Sequence, residues 1–511
     1  MRKISLCAIL CVCGITTAIS QFLSAKIKID IDRKIGDIDR NLFGNFTEHL
    51  GRCIYGGIYD PASPQANADG FRNDVIKATK ALGVSIVRWP GGNFSSGYHW
   101  MDGIGPLSGR PRRKDLAWGD IETNKVGTDE FLKFARASGV TPYICVNLGT
   151  GTWDEARNWV EYCNAPAGLF FSDLRAKNGH REPYGVKYWG LGNEMDGSWQ
   201  MGHRDADSYS KFALEAAKLM KWSDDSIKLI ASGSSDYGDG WINWNRTILT
   251  NMHDAIDYIS LHHYSGNYHN DYYQFMNSTL FVESVIRITE GLINEVRTRF
   301  SMQKPIYIAF DEYNVWYRAG SAEKLEEHYN MEDALVVALY LNTFIRHANV
   351  VKMANLAQLV NVIAPMMITD DKLWVQTIYF PLQLFANNCK GYAIDALVQS
   401  DTYDTKDNKQ VPYLDVSSSF DETTRLITIN VINKNESKPI RTSIMNQSGH
   451  LEDDATVYEL NSQSVKDENS AGNEKIRTNQ QELKINGDNF DYTFPPHSFT
   501  MIKLRLIQKL P

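Results

Sequence analysis

Two glutamates stand at the carboxyl ends of strand-like apolar runs. Glu194 closes Val186-Lys187-Tyr188-Trp189-Gly190-Leu191-Gly192-Asn193, and Glu312 closes Pro305-Ile306-Tyr307-Ile308-Ala309-Phe310-Asp311. Acidic side chains are poor residents of strand interiors and cores, so a carboxylate ending such a run is better suited to face a cleft than to pack. A pair of carboxyls, one protonated and one ionised, is the equipment for breaking a glycosidic bond. Either glutamate alone reads as an ordinary ion-pair partner; their shared strand-end position favours chemistry.

Bulk properties narrow the partners. The chain has 511 residues, 43% of them apolar, which is more than one core normally supports and enough for two domains. Its 53 basic and 61 acidic residues leave a net charge of -8 without long runs of either sign. That balance argues against nucleic acid or an anionic membrane as partner and fits a neutral ligand. Twelve Trp, 25 Tyr and 21 Phe supply surfaces for stacking on sugar rings, although core packing accounts for most of them. Cys53, Cys145, Cys163 and Cys389 are too scattered for a zinc site or a disulfide scaffold and read as buried thiols. His262, His263 and His269 lack nearby carboxylate ligands in sequence, so no metal and no cofactor is expected.

The elements that must position the pair follow from apolar periodicity. Eight strand-like runs are expected at 41–48, 84–91, 142–148, 186–194, 227–232, 256–264, 306–312 and 351–359. Amphipathic helices fall between them at 71–82, 128–137, 153–163, 205–220, 241–252, 280–300 and 332–347, with an eighth at 373–385. Eight such units predict an α/β fold, a (β/α)8 TIM barrel over 41–387, whose active site lies at the carboxyl ends of the strands. From 388 to 511 short β-branched runs alternate with turn signals, predicting a C-terminal all-β sandwich. Residues 26–40 alternate with period two and are expected to add a strand to that sandwich. The polar tract 462–481 reads as a surface loop. Arg2 and Lys3 followed by an apolar stretch and small residues predict a signal peptide over 1–25, hence export to the periplasm or beyond and no membrane contact after its removal.

The chain resembles the family 51 glycoside hydrolases, the α-L-arabinofuranosidases. The resemblance rests on Asn41-Leu42-Phe43-Gly44, Glu48-His49-Leu50-Gly51-Arg52-Cys53-Ile54-Tyr55-Gly56-Gly57, Arg88-Trp89-Pro90-Gly91-Gly92-Asn93-Phe94, Gly192-Asn193-Glu194, Asp311-Glu312-Tyr313-Asn314, Gln358-Leu359-Val360-Asn361 and Pro495-Pro496-His497-Ser498-Phe499. It implies a retaining, exo-acting enzyme that removes terminal arabinose from arabinan, arabinoxylan and their oligosaccharides, as a homo-oligomer. By the same resemblance Glu194 is the general acid/base and Glu312 the nucleophile. Asn193 meets the sugar 2-hydroxyl, Glu48, Asn93, Tyr264 and Gln358 line the pocket, Arg88 orients the nucleophile and Trp118 floors the site.

Mutual repulsion and burial are expected to raise the pKa of Glu194. The family's usual Trp after the nucleophile is Tyr313 here, which puts one pocket wall in question. Tyr268, His269, Tyr272 and Tyr273 are candidates to line an aglycone subsite. The alternatives are a related barrel hydrolase acting on xylosides or β-glucans, and a carbohydrate-binding barrel without catalysis.

Overall fold

The computed structural model describes residues 23–320 and 322–507. Eight parallel strands close a barrel: β1 (Gly44–Phe46), β2 (Ile86–Trp89), β3 (Thr141–Val146), β4 (Tyr188–Leu191), β5 (Lys228–Ala231), β6 (Tyr258–Ser265), β7 (Tyr307–Val315) and β8 (Val351–Ala357). β8 returns to β1 through Asn355 opposite Gly44. Every residue of β2 and β4 is buried, as expected for parallel strands covered on both faces, which is why they read as unbroken apolar runs. One end of the barrel is filled by Ile86, Tyr143, Tyr188, Ile230, Tyr258, Ala309 and Met353. The interior is therefore packed, and only the mouth is open to chemistry.

The helices fall close to their expected places, with one exception. Residues 366–375 form a hairpin, Met366–Thr369 against Lys372–Val375, so the eighth helix begins only at Tyr379 and runs to Asn388. Asp370 and Asp371 both take positive φ, at 47° and 61°, the requirement of a tight two-residue hairpin turn. This Asp-Asp turn overrides the helical spacing of Leu373. A short helix, Phe170–Lys177, was not anticipated.

Apart from two short two-stranded ribbons, Arg113–Lys114 with Ile121–Glu122 and Thr402–Tyr403 with Val411–Pro412, the remaining strands form one nine-stranded sheet. Strands from its opposite ends, carrying Ile444 and Phe494 at one end and Val457 and Ile502 towards the other, share one apolar cluster, so the sheet folds over on itself to make a two-layer core. Leu23–Asp37 lies inside it, antiparallel to Tyr392–Ser400 and parallel to Ile440–Asn446. The expected signal boundary at residue 25 cuts this strand: Leu23, Ser24 and Ala25 are paired with Ile440, Arg441 and Thr442. The rest of the expected signal, residues 1–22, lies outside the described residues. No helix among the described residues is long and apolar enough to cross a membrane.

The tract 462–481 is for the most part the exposed, irregular segment expected, tied to the barrel at a few points. Val465 and Asp467 give their carbonyls to Glu332 and Met331, at the start of the helix Met331–Arg346, and Lys466 pairs with Glu332 at 2.5 Å. Asn469 donates to Val375 of the hairpin, and Asn479–Lys484 is a strand. Val465, Asn469 and Ile476 are its buried points, while most of its polar side chains stay exposed.

Candidate active site

The mouth of the barrel collects the carboxylates. Glu194 lies three residues beyond the end of β4 with φ 45°, a left-handed conformation rare for a non-glycine residue and a mark of local strain. On β7 the ladders to both neighbouring strands are irregular between residues 309 and 313. Strict alternation would send Asp311 and Glu312 to opposite faces; the bulge brings both to the mouth. Asp311 accepts from Tyr143 at 2.7 Å and from Ser260, while Glu312 accepts from Arg88 at 2.8 Å and from Tyr264 at 2.9 Å.

One atom each from Glu194, His262 and Glu312 lies within 4.8 Å of the other two, and all three residues are buried. His262 on β6 was missed as a catalytic-site residue in the sequence, although its two-residue offset from Tyr264 put both on the same strand face. Its Nδ1 lies 3.0 Å from Glu194 Oε1 and 3.6 Å from Glu312 Oε2, and its Nε2 lies 3.4 Å from Asp311. Burial alone would favour the neutral ring. The Glu312 charge and the bonds to Asp311 and Glu194 outweigh it and push the ring up to about 10. A ring with both nitrogens turned on carboxylates is a doubly protonated donor, which has no lone pair to offer a metal. Its neighbour His263 faces the other way, against Tyr237, Phe281 and Tyr340, and burial lowers it to about 4.

The two glutamates are shifted against expectation. Burial would raise Glu194, but the hydrogen bond and charge of His262, with a 2.7 Å bond from Trp199 Nε1, bring it below the usual range. Glu312 is raised by burial and by the Glu194 charge, with His262 and Arg88 pulling the other way. Two close carboxyls titrate as a pair, and burial, His262 and Arg88 shift these two in opposite directions.

The other expected residues surround these. Arg88, nearly wholly buried, bridges Glu312 and Asn193, donating to Asn193 Oδ1 at 2.5 Å, and stacks over Phe46. Asn193 in turn donates to Asn93 at 3.4 Å. Glu48 Oε1 accepts from Phe94 N at 2.9 Å and Trp118 Nε1 at 3.0 Å, and Oε2 from Gln358 at 3.2 Å. With only neutral donors, burial pushes Glu48 up to about 7. Gly91 makes room for it: a Cβ there would stand 2.6 Å from Glu48 Cγ. Behind Glu48, Trp89 donates to His49 Nε2 at 3.2 Å, so His49 carries its proton on Nδ1 and gives it to Glu122 at 2.7 Å.

Tyr313 does not wall the pocket. It is fully buried on the outer side of β7 against Tyr340 and Phe344 of the covering helix. The wall is Trp316, edge-on to Tyr264 at 5.6 Å, in one apolar cluster with Trp118 and Phe46. Tyr272 and Tyr273 also leave the mouth, Tyr273 packing on Tyr403 and Tyr413 of the C-terminal region. Tyr268 remains exposed and bonded to Trp316 O, and His269 is exposed on the same loop.

A buried carboxyl pair at the carboxyl mouth of a parallel barrel, walled by aromatic rings and neutral hydrogen-bond donors, defines a glycoside hydrolase. The family model described as "Alpha-L-arabinofuranosidase 1 domain" matches residues 78–279, and "Alpha-L-arabinofuranosidase C-terminal domain" matches 311–498. The chain is 44% identical over 425 residues to the "Intracellular exo-alpha-(1->5)-L-arabinofuranosidase 1" of Bacillus subtilis, covering 81% of this chain and 85% of that one. It is 43% identical over 431 residues, 82% and 86% of the two chains, to the "Intracellular exo-alpha-(1->5)-L-arabinofuranosidase" of Halalkalibacterium halodurans. An α-L-arabinofuranosidase structure from Thermotoga maritima, an arabinose complex, superposes with TM-score 0.88 at 38% identity, covering 94% of this chain and all of that one. The chain belongs to the α-L-arabinofuranosidases of glycoside hydrolase family 51.

Those names also correct the expected destination. Two relatives above 40% identity are called intracellular, and the strand that starts at Leu23 runs through the expected cleavage point. The reading of residues 1–25 as a signal peptide, with periplasmic or extracellular export, is withdrawn. An apolar stretch with small residues after it is a compositional pattern, and strand pairing uses the same residue types.

Proposed function

We propose that the chain is a retaining, exo-acting α-L-arabinofuranosidase that releases terminal non-reducing arabinofuranosyl residues from arabinan, arabinoxylan and arabino-oligosaccharides. The observation that carries this reading is the close approach of the pair, with oxygens of Glu194 and Glu312 within 4.8 Å. Carboxyls ~5 Å apart suit direct attack, whereas a water-mediated single displacement needs roughly 6.5–9.5 Å. Exo action on α-(1→5) links is what the Bacillus subtilis relative's name states of that enzyme, and it supports the same choice here.

In the first step a Glu312 oxygen attacks the anomeric carbon. The bond to the departing oxygen breaks, and that oxygen takes its electron pair together with the proton of Glu194. Arg88 and Tyr264 hold Glu312 in line. Forming the ester removes the Glu312 charge. Glu194, kept low by His262 and Trp199, is then ionised and takes a proton from the water that cleaves the ester. Asn193 is placed for the 2-hydroxyl, while Glu48, Asn93, Gln358 and Trp118 line the rest of the sugar pocket.

Azide tests the assignment. With an activated aryl arabinofuranoside, Glu194→Ala is expected to lose about 10²–10⁴-fold in kcat and to be accelerated by azide, giving the α-azide with configuration retained, while Glu312→Ala is not rescued in that way. Failure of azide to accelerate Glu194→Ala, or an inverted product anomer from the unaltered enzyme by NMR, would sink the mechanism.

A further inference from the structure

Asn314 lies two residues beyond Glu312 on β7, is wholly buried and stands opposite Tyr264 of β6 in the ladder. On its other side β7 pairs Tyr313 with Leu356, which brings Asn314 beside Ala357, the last residue of β8. The Asn314 amide nitrogen donates to Ala357 O at 2.5 Å and to Ile363 O at 2.6 Å, while its Oδ1 accepts from Val315 N at 2.7 Å. Both amide hydrogens are thereby spent on backbone. The side chain is set against the protein and not against a substrate.

The two carbonyls bracket a short loop, Gln358 to Val362, which Gln358 N closes by donating to Ile363 O at 3.0 Å. Gln358 is the residue of this loop that reaches the pocket: its Oε1 accepts from Glu48 N at 3.1 Å and its Nε2 donates to Glu48 Oε2 at 3.2 Å. Ala357, Val362 and Ile363 belong to the apolar cluster that meets Trp118, Tyr264 and Trp316. The loop is tied twice. Asn361 donates to Arg52 O at 2.9 Å and to Gly56 O at 3.2 Å, fixing it to the segment that follows Glu48. Asn314 fixes it to the strand of Glu312.

We propose that Asn314 is a positioning residue for the sugar pocket: by holding the carbonyls at both ends of this loop it seats Gln358 on Glu48, so that the strand delivering the nucleophile also sets the wall that holds the sugar. This rests on the reading of Glu48 and Gln358 as lining that pocket. Direct attack needs the reacting atoms about 3–3.5 Å apart and aligned, and a misplacement of about 1 Å costs about 10²-fold in rate. A pocket wall and a nucleophile referred to one strand keep their spacing. The residue type is tightly constrained: Asp would turn carboxylate oxygens on both carbonyls, and Leu, of similar shape, would leave them unpaired.

The test is a double-mutant cycle on kcat/KM with nitrophenyl arabinofuranoside. Asn314→Ala and Gln358→Ala are each expected to lose about 10²-fold. Because both act through the seating of Gln358 on Glu48, the double variant is expected to fall within about threefold of Gln358→Ala alone. Losses that multiply in the double variant, or a lowered melting temperature in Asn314→Ala with kcat/KM unchanged, overturn the proposal. Should Asn314→Ala not fold, Asn314→Ser, which keeps one donor, carries the same cycle, with a loss of about tenfold expected alone and none added to Gln358→Ala. If Glu48→Gln and Gln358→Ala themselves leave kcat/KM unchanged, the pocket reading falls and the role of Asn314 with it; if they lower it and the losses multiply, only the role of Asn314 falls.

Discussion

Two buried charge clusters in this molecule use similar residues to opposite ends. At the mouth, Glu48, Glu194, Asp311 and Glu312 are served by two cations, Arg88 and His262, and Glu48 has only neutral donors. On the far side of the segment that follows β7, Arg318 clamps Glu327 and Asp333 at 3.0 Å each, and Lys466 from the C-terminal region reaches Glu332. There every carboxylate has a cation. Burial pushes both Glu48 and Asp333 up to about 7, so a displaced pKa does not distinguish a site from a joint. The distinguishing features are a deficit of cations and an opening to solvent.

Substitutions that separate activity from stability break or sharpen this contrast. Glu312→Gln has the largest expected effect: kcat should fall by about 10⁵-fold or more, while thermal unfolding at pH 7 stays level or improves, because a carboxyl repelled by Glu194 has been neutralised. A marked drop in melting temperature would place Glu312 among the structural ion pairs. Arg318→Met should do the reverse. Leaving Glu327 and Asp333 buried without their cation is expected to cost about 3 kcal/mol in urea unfolding, with kcat/KM of the folded enzyme unchanged. Loss of activity without loss of stability would show that this joint communicates with the mouth.

The pH dependence comes next in size. Glu48 has a folded value near 7 against an ordinary 4.5. The folded state therefore binds the proton more tightly, and the stability this contributes is complete below about 4.5 and lost as pH rises through about 7. Glu48→Gln should flatten the fall in melting temperature between pH 5 and 7; an unchanged slope would mean that Glu48 is already ionised in the folded protein. The smallest effect is expected at the rim, where Lys324 and Asp120 form a half-exposed pair at 2.9 Å. Lys324→Met should change stability by less than about 1 kcal/mol, and by less still in high salt.

Much of the barrel was legible because burial on both faces imposes a coarse rule, unbroken apolar strands alternating with amphipathic helices. The same rule put Glu194 and Glu312 near the carboxyl ends of β4 and β7, although β7 does not close at Glu312 as expected but runs on to Val315. His262 was weighed as a metal ligand and set aside, because nothing local marks a histidine whose carboxylate partners sit 49 to 68 residues away in the chain. Trp199 and Trp316 were passed over among twelve tryptophans, since exposure depends on which neighbours arrive. Which few points of the tract 462–481 tie it to the barrel was not legible for a related reason: polar groups that bond to a barrel look the same in sequence as polar groups that bond to water.

The order of apolar and polar residues, a local property, determined by itself the eight strand-helix units, the β-rich C-terminal region and the positions of the two glutamates along the chain. Only the folded arrangement decided how the protons are shared, because pKa values depend on charges and burial brought together across distant strands. Likewise the bulge in β7, which turns Asp311 and Glu312 to the same opening and Tyr313 away from it, arises from pairing with β6 and β8 and has no signature in β7 alone.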